Sequence, residues 1–311
     1  MNAIFNSCIR AAGHPLGGAV CAVAVLLIAS SAQAQNLFVA NYLGDTIYEY
    51  TPGGAQSTFA SGFVSPGGLA FNSAGNLFVA DQGSGTIYEF TPGGAQSTFA
   101  SGLGILNGLT FDGVGDLFAS SGGTGISGTI YEFTPGGAQN IFASGLNYPA
   151  ALAFNSAGNL FEADYSSGTI YEYTPGGVQS TFAFGVYGAE GLAFDSAGNL
   201  FEADFYSGNI YEFTPGGARS TFASGLFGPE GLAIDSLGNL FVADYYSKDI
   251  VEITPGGTQS TFASGVRSVG LAFQGGPLPV PEPPAWGLLA VGATVLLARR
   301  RRCATTMPHQ H

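Results

Sequence analysis

Residues 68–81 read GLAFNSAGNLFVAD and residues 86–100 read TIYEFTPGGAQSTFA. Four short segments stand out here: Gly68 to Phe71, Asn76 to Asp81, Thr86 to Phe90 and Gln96 to Ala100. Each is apolar or alternating and rich in β-branched and aromatic residues, the composition that a pleated, half-buried surface favours. Ser73-Ala74-Gly75 separates the first two and supplies a glycine free to take positive φ, so it closes a hairpin. Thr91-Pro92-Gly93-Gly94 presets φ with proline and then offers glycine where a type II turn needs it. No segment sustains a helical period over ten residues, so the stretch reads as β throughout.

The same phrase recurs. NLFVAD or a near variant begins at Asn36, Asn76, Asp116, Asn159, Asn199 and Asn239, at intervals of 40, 40, 43, 40 and 40 residues. Four strands in about 40 residues, repeated, are the mark of propeller blades. The first copy has no GLAF strand before it, whereas an unmatched GLAF stands at Gly270 to Phe273, after the sixth. That orphan strand is expected to complete the first blade and close the ring, removing its free edge. A solenoid would need polar capping repeats, and none is visible. The expected fold is all-β: a six-bladed β-propeller of four-stranded blades spanning residues 35–276.

The pattern GLAFNSAGNLFVAD…TIYEF resembles NHL-type repeats and the wider superfamily of gluconolactonase and streptogramin lyase propellers. The resemblance covers nearly all of Gln35 to Phe273. It implies the fold; this superfold hosts many unrelated activities.

The two ends read differently. Residues 1–34 carry Arg10, a mostly apolar run from Ala19 to Ile28 and then Ala32-Gln33-Ala34. That order is a secretory signal peptide cut before Gln35. Residues 277–285 form a proline-rich linker. Residues 286–302 hold a short transmembrane helix, 13 apolar or small residues from Trp286 to Ala298, and the cluster Arg299, Arg300, Arg301 and Arg302. Pro281, Glu282 and Pro283, the short helix and the arginines together resemble a PEP-CTERM sorting signal. That resemblance implies cleavage by an exosortase in a Gram-negative bacterium, often one that makes exopolysaccharide. The protein would be anchored in the inner membrane before processing, then placed in the cell envelope or extracellular matrix. The tail 303–311 departs from such signals, which usually stop soon after the arginines; a plain single-helix anchor is the other reading.

Residues 35–276 contain three basic residues, Arg219, Lys248 and Arg267, against twenty acidic ones, a formal charge of −17. Such a surface repels phosphate backbones and argues against nucleic acid as a partner. It suits cations or neutral polymers, or serves solubility alone. The cysteines (Cys8, Cys21, Cys303) and histidines (His14, His309, His311) all lie outside the repeats. Nucleophilic triads and histidine-ligated zinc are thereby excluded from the repeat domain. Streptogramin lyases, by the resemblance, rely on a histidine base, so that activity is not expected.

Near-identical blades make departures informative. Before the inner strands stand Gly67, Asn107, Ala150, Glu190, Glu230 and Val269. Asn107, Glu190 and Glu230 offer clustered oxygens of the kind calcium wants. This placement resembles the metal site of gluconolactonase-type enzymes, with Asn107-Gly108-Leu109 and Pro229-Glu230-Gly231-Leu232-Ala233 as the matching phrases. A solvated acidic rim is the alternative. Val79 and Val242 are replaced by Glu162 and Glu202, each sharing a strand face with Asp164 or Asp204. Packed between blades, such carboxylates would take up a proton or a cation, or find a tyrosine hydroxyl or backbone amide. The recurring Asp81, Asp164, Asp204 and Asp244 are expected to bind their own loop amides. Tyr42, Tyr165, Phe205, Tyr206, Tyr245 and Tyr246 follow the second strands and could stack on sugar rings, or be ordinary loop residues. The Tyr-Glu pairs, such as Tyr48-Glu49, belong to the scaffold. The expected role is a non-enzymatic envelope or matrix protein contacting exopolysaccharide or another envelope component; the alternative is a calcium-dependent lactonase-like hydrolase.

Overall fold

The computed structural model describes residues 35–275 apart from Thr124 and Ile126. The expected signal peptide, linker, short helix and arginine cluster lie outside the described residues. Among the described residues, 24 strands form six four-stranded antiparallel sheets and no helix occurs. Blade 2 shows the plan: inner strand Pro66–Phe71, second strand Leu77–Asp81, third strand Thr86–Phe90 and outer strand Gln96–Ser101. These coincide with the four segments read from the sequence.

One turn differs from expectation. Gly94 N donates to Thr91 O at 2.8 Å and Thr91 N to Ala95 O at 3.0 Å. The left-handed residue is Gly94, at φ 81°, and not Gly93. The connection is therefore a type I turn followed by a left-handed glycine rather than a type II turn. This geometry lets the loop match the twist of its flanking strands.

Blade 1 is assembled from both ends of the ring. Its inner strand, Ser268–Phe273, pairs antiparallel with Leu37–Asn41, setting Phe273 opposite Leu37 and Gly270 opposite Ala40. The closure foreseen from the orphan GLAF segment is present. Successive blades then lock through aromatic rings. Phe38 of blade 1 meets Phe71 of blade 2 edge-on at 5.0 Å, and Phe78–Phe111, Phe118–Phe154 and Phe161–Phe194 repeat the contact. Phe241 of blade 6 meets Phe273 at 5.0 Å, so the junction that closes the ring is built like the others. Blade 6 carries Ile234 at that place, and Phe201 of blade 5 packs in the cluster that includes it.

Between blades, the third residue of each second strand faces the preceding blade. Val39 packs with Phe241 and Ala243, and Val79 with Phe38 and Ala40. In blades 4 and 5 that place belongs to Glu162 and Glu202. Both are fully buried, and none of their carboxylate oxygens has a hydrogen-bond partner among the described residues. Burial, with Asp164 beside Glu162 and Asp204 beside Glu202, holds both well above the usual carboxylate range. Of the fates open to these side chains, protonation is the one the surroundings favour; the hydrogen bond to tyrosine or amide is absent.

The inner strands approach one another closely around the axis. A Cβ on Gly68 would collide with Asn107 O, one on Gly108 with Ala150 O, one on Gly191 with Glu230 O, and one on Gly270 with Gly67 O. Glycine at this place lets backbones of adjacent blades meet.

Candidate functional site

A cavity of about 390 Å³ opens on the axis at one face of the disc. Its floor is the ring of inner-strand leucines, Leu69, Leu109, Leu152, Leu192, Leu232 and Leu271. All three residues proposed as oxygen donors line it: Asn107, Glu190 and Glu230. They do not stand in the loops before the inner strands, as the spacing suggested. Each is the second residue of its strand, in Leu106–Phe111, Ala189–Phe194 and Pro229–Ile234. A β-bulge lies at this point in each, between Leu106 and Leu109, Ala189 and Gly191, and Pro229 and Leu232. Bulges interrupt pairing and re-aim a side chain, here beside the axis.

Glu190 and Glu230 are brought together on adjacent inner strands. Burial raises the pKa of both, and Glu190 adds to the shift of Glu230 through like-charge repulsion. Neither carboxylate accepts a hydrogen bond among the described residues, and no lysine or arginine lines the cavity. Asn107 is engaged differently. Its Nδ2 donates to Gly122 O at 2.9 Å and to Pro149 O at 2.8 Å, stapling blade 3 to blade 4. Its Oδ1 accepts from Gln82 Nε2 at 3.1 Å, and Gln82 Oε1 accepts from Tyr42 at 2.9 Å. No group of three histidine, cysteine, aspartate or glutamate side chains placed to hold a metal occurs among the described residues.

The aromatic residues form one arc around the mouth. Tyr148 meets Tyr165 at 4.9 Å, Tyr165 meets Tyr206 at 5.7 Å, and the Tyr165 hydroxyl donates to the Tyr206 hydroxyl at 2.6 Å. The arc continues from Tyr206 through Phe205 and Tyr246 to Tyr245, with ring centroids 5.2–5.6 Å apart. Phe205, Tyr245 and Tyr246 line the cavity directly, while Tyr206 is 68% exposed above it. The two glutamates and the arc share one electrostatic environment. Burial, then Glu190 and Glu230, raise the Tyr148 hydroxyl; burial, Tyr206 and Glu190 raise that of Tyr165.

Sequence reasoning missed Gln82 and Tyr148. Gln82 sits where other blades carry Tyr42, Tyr165, Phe205 or Tyr245, so it was a visible departure. Tyr148 stands immediately before Pro149, where blades 2, 5 and 6 carry Ser65 or a glycine, and adopts φ 64°, a strained conformation for a bulky residue.

The four aspartates divide their work. Asp164 and Asp204 accept from their own loop amides, Ser167 N at 3.1 Å and Ser207 N at 2.9 Å. Asp81, Asp164 and Asp244 also accept from Val64, Asn147 and Phe227 N, each at 2.7 Å. They thus clamp the loop leading into their blade's inner strand. The glutamates of the Tyr-Glu pairs bind scaffold: Glu49 accepts from Asn36, Glu89 from Asn76 and Glu172 from Asn159. No helix among the described residues is long and apolar enough to cross a membrane.

No family model matches the chain, and no curated protein does. Solved structures do. A chain of a nidogen/laminin complex aligns with TM-score 0.69 at 19% identity, covering 77% of this chain and 98% of that one. A protein provisionally called a gluconolactonase aligns with TM-score 0.62 at 18% identity, covering 75% and 89%. A virginiamycin B lyase from Staphylococcus aureus, inactivated by replacing a histidine with alanine and bound to quinupristin, gives TM-score 0.58 at 14% identity, covering 79% and 94%. At these identities the likeness is one of architecture, and it places the chain among six-bladed β-propellers.

Proposed function

We propose that the protein is an exported, non-enzymatic propeller that binds saccharide on the rim of its axial cavity. The observation that carries this reading is the unbroken aromatic arc from Tyr148 to Tyr245, beside carboxylates that accept no internal donor. Aromatic faces stack on the apolar faces of sugar rings, and carboxylates take their hydroxyl donors. The repeat domain has no histidine or cysteine to serve as base or nucleophile. The resemblance of the two end segments to a signal peptide and a sorting tail supports a route through an exosortase to the envelope or matrix, with exopolysaccharide as the candidate polymer.

The test is binding of the full chain to neutral oligosaccharides by isothermal calorimetry, with Tyr206→Ala and Tyr246→Ala as variants. Each lost stacking ring should weaken binding by about five- to ten-fold. Unchanged affinity in both variants would remove the rim from consideration.

A second reading, a calcium-dependent hydrolase of the gluconolactonase type, is favoured by the placement of Asn107, Glu190 and Glu230 around one cavity. Calcium added to the folded chain should then raise its melting temperature. Lactone turnover that requires calcium would replace the first reading with this one.

A further inference from the structure

Resting on the saccharide reading, we infer that the sugar recognised is an amino sugar, whose protonated amine seats between Glu190 and Glu230 beneath the aromatic arc. The cavity presents two half-buried carboxyl groups on neighbouring strands with no donor and no cation from the protein. Two carboxylates on neighbouring strands repel each other when both are ionised, and a cation seated between them relieves that repulsion where a neutral sugar does not.

The walls favour an organic cation. Tyr42, Tyr148, Phe205, Tyr245 and Tyr246 line the same cavity as the carboxylates, and aromatic rings attract ammonium and guanidinium groups. The rim already holds one such cation: the Arg267 guanidinium lies 5.2 Å over the Tyr245 ring. The formal charge of −17 over residues 35–276 adds a general attraction for cations over anions. A bare calcium ion gains nothing from aromatic walls. It wants six to eight oxygens, while the Asn107 oxygen already accepts from Gln82. An amine borne on a sugar ring uses both halves of the site, the ammonium on the carboxylates and the ring against the arc.

The experiment compares a glucosamine oligomer with its N-acetylated counterpart of equal length, by calorimetry on the full chain, in wild type and in Glu190→Gln/Glu230→Gln. The glucosamine oligomer should bind at least about ten-fold more tightly than the N-acetylated one. The double variant, checked for an unchanged circular dichroism spectrum, should lose that preference and bind the two oligomers with equal affinity. Equal affinity of wild type for the two oligomers overturns the inference and leaves the saccharide reading standing. Binding of neither overturns both. Two further controls bear on the class of cation. A lysine-rich peptide that binds as tightly as the glucosamine oligomer, with the same dependence on the glutamates, overturns the sugar assignment. Calcium chloride that displaces the glucosamine oligomer, with no effect of Tyr246→Ala on either, overturns the organic-cation assignment.

Discussion

Glu162 and Glu202 replace valine in an otherwise apolar seam. Across the sheet, Glu162 lies between Leu152 and Tyr171, and Glu202 between Leu192 and Tyr211. The charged or titratable groups around them are Asp164 and Tyr173 for the first, and Asp204 and Arg219 for the second. Each is raised above the ordinary 4.5, so the unfolded chain gives up these protons at lower pH than the folded one. The stability that their protonated forms allow is whole below pH 4.5 and drains away as pH climbs toward the raised folded values. Glu162→Val should therefore stabilise the protein by about 1–4 kcal/mol at neutral pH, and by less below pH 4.5. Melting curves across that range check this, and a benefit independent of pH would refute it. Glu202→Val should gain less, because Arg219 partly offsets the cost of ionising Glu202.

Strands and turns were legible because their chemistry repeats. Leu-Phe-Val-Ala at Leu77–Ala80 alternates between the two neighbouring blades, and every copy predicts the same strand. The turn at Thr91-Pro92-Gly93-Gly94 was misread because two adjacent glycines both allow positive φ, and sequence alone does not say which takes it. The bulge bearing Glu190 was illegible for another reason: it arises from packing around the axis, which no single blade specifies. That packing makes glycines unequal. Gly191→Ala sets a methyl against Glu230 O and should cost more than 2 kcal/mol, whereas Gly177→Ala, in open space at φ 77°, should cost about 1 kcal/mol. Denaturant midpoints of the two variants decide the order. At the loops, Asp244→Ala frees the Phe227 amide and should cost about 1–2 kcal/mol. It should also weaken saccharide binding at Tyr246, whose ring packs on Phe227 at 5.1 Å.

At the scale of the molecule, the ring and its closure were readable from one orphan segment, Gly270 to Phe273, because counting strands requires no knowledge of packing. The candidate site was readable only in part. Glu190 and Glu230 stood out as departures from near-identical copies, but their lack of donors and the continuity of the arc depend on side-chain directions. Closure itself is testable. A chain stopped after Arg267 leaves the edge of Leu37–Asn41 unpaired and bares Phe241, which packs on Phe273. It should associate on size-exclusion chromatography and lose a single cooperative melt. A monodisperse monomer melting like the parent would mean that the last strand is dispensable.

The partner of Leu37–Asn41 is made roughly 230 residues after it. At ribosomal speeds of about 5–20 residues per second, that is a wait of about 10–45 s. Throughout it the nascent chain exposes a bare hydrogen-bonding edge and an uncovered greasy flank. Biosynthesis of this protein therefore favours a holding factor that shields the first-made strand until the final one arrives.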